Sequence, residues 1–134
     1  MELAKLKSTT TQAVPSGALT QLLMTTEVLQ TGTEVIGTPA SSSIQLTKAG
    51  YYLVSIEVFV VGSGQHQVYL TGNGFVSAGT EILDFTGTAD GVCHGMSVLV
   101  RAGSATFFVL KAIHNAGANR NYQCAFSVNR MALA

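Results

Sequence analysis

The chain has 134 residues, 47% of them hydrophobic and 10% charged, with seven basic and seven acidic side chains in balance. That length admits one domain with a real core, but its charge is less than half the roughly 25% of a typical soluble domain. Zero net charge excludes the basic field of a nucleic-acid binder. No run reaches the ~18 apolar residues of a membrane helix, and no apolar leader opens the chain, so neither a membrane partner nor a secretion signal is expected.

The first 16 residues combine Leu3-Ala-Lys-Leu6 with an uncharged Ser8-Thr-Thr-Thr-Gln12 tract. They read as an N-terminal arm that orders on a neighbouring surface, leaving residues 17–134 as the folded domain. Ala18–Leu29 carries Thr20, Thr25, Thr26 and Val28, whose β-branched side chains favour strand over helix. Strands are expected at 33–36 and 43–48. The clearest element follows, Tyr51 to Val61, where Tyr52, Val54, Ile56, Val58 and Val60 repeat at period two and mark a core face.

Further strands are expected at 66–71 and 80–86. Next come Met96, Val98 and Val100 facing inward, then 105–113, apolar on both faces apart from Thr106 and Lys111. Cys124, Phe126 and Val128 close the series, with Gln123, Ala125, Ser127 and Asn129 outward. Glycines punctuate these segments, notably Gly62-Ser-Gly64, Gly72-Asn-Gly74 and Thr88-Ala-Asp-Gly91. Eight to ten short strands joined by turns point to an all-β antiparallel jelly-roll sandwich. Several strands are apolar on both sides, although one face of such a sheet normally meets water. A subunit interface is therefore expected at Tyr51, Leu53, Glu57, Phe59, Tyr69, Leu99 and Phe107.

Chemistry is sparse. Cys93 and Cys124 are separated by thirty residues and lie in apolar strands, where a free thiol behaves as a small hydrophobe. Cys93-His94, His114 and Cys124 lack the close ligand pairs of a zinc site, so no metal and no cofactor are expected. The only aspartates are Asp84 and Asp90, and Asp90 sits in a turn, so a nucleophilic triad has no evident acid. His66 reads as structural or interfacial. Glu57, in the most apolar strand, reads as an outward residue paired across an interface. No catalytic residue is assigned, and the chain is not expected to be an enzyme. A metal enzyme on a cupin-like jelly roll would need His66, His94 and His114 to cluster with an acid, and their spacing gives no sign of it.

The stretch Leu46-Thr-Lys-Ala-Gly-Tyr-Tyr-Leu-Val-Ser-Ile-Glu-Val58 resembles the complement-globular-head and tumour-necrosis-factor-like jelly rolls, with Gly50 and Tyr52 on their Ala-Gly-x-Tyr pattern. Gln67-Val-Tyr-Leu-Thr-Gly-Asn-Gly74, Ser97–Gly103 with Thr106–Val109, and Cys124-Ala-Phe-Ser-Val128 follow in the order of the later strands of those domains. The resemblance covers residues 44–132. Gly103-Ser104 stands where such domains usually carry Gly-Asp, calcium-site carboxylates have no counterpart, and no collagen-like stalk precedes the domain.

Trimeric jelly rolls of this kind without stalk or signal occur in bacteriophage virions, as capsid decoration, head-fibre or tail-tip proteins, and spore-surface glycoproteins share the domain. The resemblance thus implies a homotrimeric structural protein, made in the host cytoplasm and displayed on the capsid exterior. Its partners would be its own copies and a major capsid protein or other virion protein. Leu3, Leu6 and Val14 would anchor it to the capsid. The alternative is a receptor-binding tip of a phage tail fibre or spore surface that recognises host glycan or protein. Its loop residues would be Asn73, Phe75, Asn119 and Tyr122.

Overall fold

The structure, a computed structural model, describes residues 1–72 and 80–133. Its strands are β1 (Leu3–Lys7), β2 (Gln12–Val14), β3 (Thr20–Gln21), β4 (Thr26–Thr31), β5 (Val35–Thr38), β6 (Ser43–Leu46), β7 (Gly50–Val61), β8 (Gly64–Thr71), β9 (Thr80–Gly87), β10 (Val92–Ala102), β11 (Thr106–His114) and β12 (Arg120–Leu133). They form two antiparallel sheets. The first runs β10-β7-β12-β1-β4 with β2 beside β12, and the second β5-β6-β11-β8-β9 with β3 beside β11. This is the expected all-β sandwich. Each of the predicted strand regions holds a strand, and Ala18–Leu29 contributes β3 and β4 instead of a helix.

Alternation sets the inward faces. Tyr52, Val54, Ile56, Val58 and Val60 of β7 are all buried, as are Cys124, Phe126 and Val128 of β12. Opposite them stand Phe108, Leu110 and Ala112 of β11 and Val68 and Leu70 of β8. Tyr52 meets Phe108 edge to face across the two layers, and its hydroxyl donates to the Lys48 carbonyl at 2.6 Å. Burying these side chains, at roughly 1.5–3 kcal/mol each, is what holds the sheets together.

The first 16 residues are not an arm. β1 lies inside the first sheet, paired with β12 through Leu6↔Phe126 and with β4 through Leu3↔Thr31, and β2 adds to β12 through Val14↔Arg120. Ala4, Leu6 and Val14 are fully buried. An anchor needs a side chain free to meet a shell, so Leu6 and Val14 cannot serve, and Leu3 is half-buried within the sheet.

Turns carry the chain between layers. Gly62 and Gly64 take φ of 113° and 122° between β7 and β8, a backbone that favours glycine. Arg120 Nε braces that turn by donating to the Ser63 carbonyl at 2.9 Å. The expected Thr88–Gly91 turn is present, with the Gly91 N–H on the Thr88 carbonyl at 3.1 Å.

Candidate functional site

The outer face of the first sheet carries the residues that burial leaves unexplained. Register lines them up in rows across adjacent strands. Leu99, Leu53, Asn129 and Leu3 form one row; Ser97, Ser55, Ser127 and Lys5 the next; Gly95, Glu57, Ala125 and Lys7 the third; Cys93, Phe59 and Gln123 the fourth. Tyr51 and Arg101 close one end and Val61 the other. Apolar side chains therefore occupy both ends, and a band of small residues occupies the middle. The Ser55 and Ser97 hydroxyls share a hydrogen bond of 2.8 Å. Glu57 is exposed between Gly95 and Ala125, without an ion pair among the described residues. Lys7, Ser8, Glu57, Phe59, Cys93 and Gln123 line a shallow hollow of about 220 Å³ on this face.

One margin of the sheet adds to this face. β10 is an edge strand of 11 residues, VCHGMSVLVRA, with no proline and no charge before Arg101. Natural edges are blunted by lysine, proline or bulges, because unpaired N–H and C=O groups template further pairing. Here Leu99 is 61% exposed and Met96 42%. Met96 shares the inward face of its cross-strand partner Ile56, but β10 has a neighbour on one side only and Met96 is left uncovered.

The chain's three histidines meet at one end of the sandwich. His94 stacks on Phe85 at 4.4 Å between ring centroids, Phe85 stacks on His66 at 5.3 Å, and His66 lies 5.4 Å from His114. His66 Nδ1 is hydrogen-bonded to the Tyr122 hydroxyl. His114 Nε2 lies 2.7 Å from the Val14 carbonyl, and its Nδ1 accepts the Ala116 N–H at 3.2 Å, which fixes the Nε2–H tautomer. His66 Nε2 is buried without a hydrogen bond. Burial, and then His114, push the His66 imidazole below its ordinary pKa, with the Gly62 carbonyl opposing. Burial likewise raises the Tyr122 hydroxyl, and the Cys124 thiol is pushed up to about 12. Groups so buried are poor acids and bases for exchange with a substrate. Among the described residues no three His, Cys, Asp or Glu side chains are arranged to hold a metal ion, and both cysteines are free.

No protein-family model and no curated protein sequence matches the chain. Solved structures do. Eiger TNF from S. frugiperda superposes with a TM-score of 0.75 at 10% identity, covering 98% of this chain and 93% of that one. The globular domain of the zebrafish complement 1qA protein gives 0.69 at 6% identity, over the whole of both chains. The fold is the TNF- and C1q-like jelly roll. PRD1 vertex protein P5 shares this jelly roll, with a TM-score of 0.66 at 16% identity over 96% of each chain. The expected fold is thereby shown over nearly the whole chain, including the N-terminal residues that the sequence resemblance had left out.

On this jelly roll the seven expected interface residues do not form one patch. Tyr51, Leu53, Glu57, Phe59 and Leu99 share the outer face of the first sheet. Tyr69 and Phe107 belong to β8 and β11, on the outer face of the second. Of the expected ligand-loop residues, Asn73 and Phe75 lie outside the described residues. Asn119 is exposed beside the start of β12. Tyr122 is not in a loop: it sits within β12, 1% exposed, because the even positions of that strand face the core. The histidine cluster escapes sequence reasoning, since nothing in the spacing of 66, 94 and 114 shows that the β8–β11 register sets His66 against His114.

Proposed function

We propose that this chain is a non-enzymatic structural protein of a virion, a homotrimer that attaches to a phage capsid. The observation that carries the trimer is the pairing of two unlike apolar surfaces on one protomer, the outer face of the first sheet and the bare β10 edge beside it. Unlike surfaces that meet head to tail close into a ring when the rotation allows. Tyr51, Leu53, Phe59 and Leu99 supply the aromatic and aliphatic area typical of obligate interfaces. The small Ser55, Ser97, Gly95 and Ala125 permit close approach, and Glu57 finds its partner on a neighbouring copy.

The likeness to a vertex protein supports a place on a virion. With Leu6 and Val14 buried, attachment falls to another surface. The opposite edge of the first sheet offers exposed Val28 and Leu29 on β4, with Leu23 just before it.

Sedimentation of the purified chain at micromolar concentration should give about 42 kDa, three times the 14.0 kDa protomer. A monomer there overturns the trimer. An antibody against the domain should label intact particles of the virus that encodes it, and the double variant Val28→Lys, Leu29→Lys should stay trimeric while leaving those particles unlabelled. Wild-type particles without label overturn the virion role.

A further inference from the structure

A groove of about 430 Å³ lies on the outer face of the second sheet, away from the proposed subunit interface. Phe107, Val109 and Lys111 of β11 line it at alternate positions, spanning about 13 Å. Ser43 and Gln45 of β6, Gln21 of β3 and Ser41 complete it.

The rim is fixed before any ligand arrives. Gln21 Nε2 donates to the Ser41 carbonyl at 2.9 Å, and the Ser41 and Ser43 hydroxyls share a hydrogen bond of 2.7 Å. Between them Ser42 is the one described non-glycine residue with positive φ, at 51°. It is held there by its buried hydroxyl, which accepts the Met24 N–H at 2.8 Å, and by its own N–H on the Pro39 carbonyl. A non-glycine residue keeps such a backbone only where its surroundings over-determine it, and such positions cluster at ligand sites.

The groups left over in the groove are those a sugar needs. Phe107 is 38% exposed, an aromatic ring open to stacking. The Gln45 amide makes no hydrogen bond, and Lys111 has no ion pair among the described residues. Among the described residues no acidic side chain lines the groove, and Lys111 is the one charged group there. The volume falls within the range of small-molecule sites.

We propose that this groove binds a carboxylate-bearing sugar. The negative face of the Phe107 ring takes the polarised C–H face of the pyranose. Gln45 and the side-chain amide oxygen (Oε1) of Gln21 bond its hydroxyls, and the Lys111 ammonium pairs with its carboxylate. This assignment places Phe107 in a ligand site, and it holds whether the chain is a monomer or a trimer.

The test is an amide-resolved NMR titration of the full chain with N-acetylneuraminic acid, glucuronic acid, galactose and acetate as separate probes. The acidic sugars should shift residues 21, 43–45 and 107–111 with a millimolar dissociation constant. Galactose should bind the same residues at least ~10-fold more weakly. Lys111→Met should reduce acidic-sugar affinity to the galactose level, and Phe107→Ala should abolish binding of both, each variant keeping the dispersed spectrum of the folded chain. No shifts with either acidic sugar, shifts confined to another surface, or acetate binding as tightly as the acidic sugars would each overturn the proposal.

Discussion

The Tyr122 hydroxyl is hydrogen-bonded to His66 Nδ1 inside the sandwich, where both rings are shut off from water. Since burial holds the His66 imidazole below its ordinary range, the unfolded chain takes up a proton that the folded chain refuses. Its contribution is complete above the unfolded-state value of about 6.5 and is lost as the pH falls toward the folded-state value. The urea midpoint should therefore drop between pH 6.5 and 5.5, before the carboxylates titrate. In His66→Gln the midpoint should be lower throughout but flat across that window. A slope that survives the substitution would assign the effect elsewhere.

Tyr122→Phe removes the hydroxyl and leaves Nδ1 of the buried His66 without its partner. An unsatisfied buried polar group costs about 1–3 kcal/mol, read as a lowered midpoint in chemical denaturation with an unchanged slope. A wild-type midpoint would show that the hydrogen bond contributes nothing net.

Gly87 is packed against the same imidazole, and a Cβ there would press on the Gly62 carbonyl and on His66. Gly87→Ala should destabilise by about 1–3 kcal/mol, as overpacking does. The neighbouring Gly91→Ala provides a contrast, because its penalty comes from a φ of 93° as well as from contact with Phe59.

Leu6 sits wholly within the core, so Leu6→Ala should cost about 2–5 kcal/mol. Deletion of residues 1–7 should prevent folding, because β4 loses its only neighbour in the first sheet and β12 loses the strand along one side. A deletion variant that melts like the full chain would restore the N-terminal residues to an arm.

Leu99 is exposed opposite Leu53, and neither contributes to the protomer core. Leu99→Lys should leave the urea midpoint at high dilution within about 0.5 kcal/mol of wild type while converting the oligomer to monomer in sedimentation. An intact oligomer would move the interface off this face.

The sequence made the sheets legible and left their outer relationships hidden. Tyr52 through Val60 announce an inward face because period-two alternation is a local property of a strand, and the structure buries all five. β1 carries the same signal in miniature, with Ala4 and Leu6 buried between Leu3, Lys5 and Lys7, but two lysines and the threonine run after it outweigh five residues of pattern. Met96 shows the limit of alternation, which tells the face of a strand and not whether anything covers it. The groove and the histidine stack rest on register between distant segments. Phe107 reaches Gln45, and His114 reaches His66, only after the chain has crossed between layers.

β12 is the sole bridge between the β7–β10 and β1–β4 halves of the first sheet. Of the twelve strands described above it is also the last to be made during synthesis. Until Arg120–Leu133 has left the ribosome, β7 has only β10 beside it and β1 only β4, so the first sheet stays in two parts, and folding driven by such distant pairings is slow. Chains cut short by a premature stop would present two sticky half-sheets, so aggregates of incomplete product are the expected failure mode of expression.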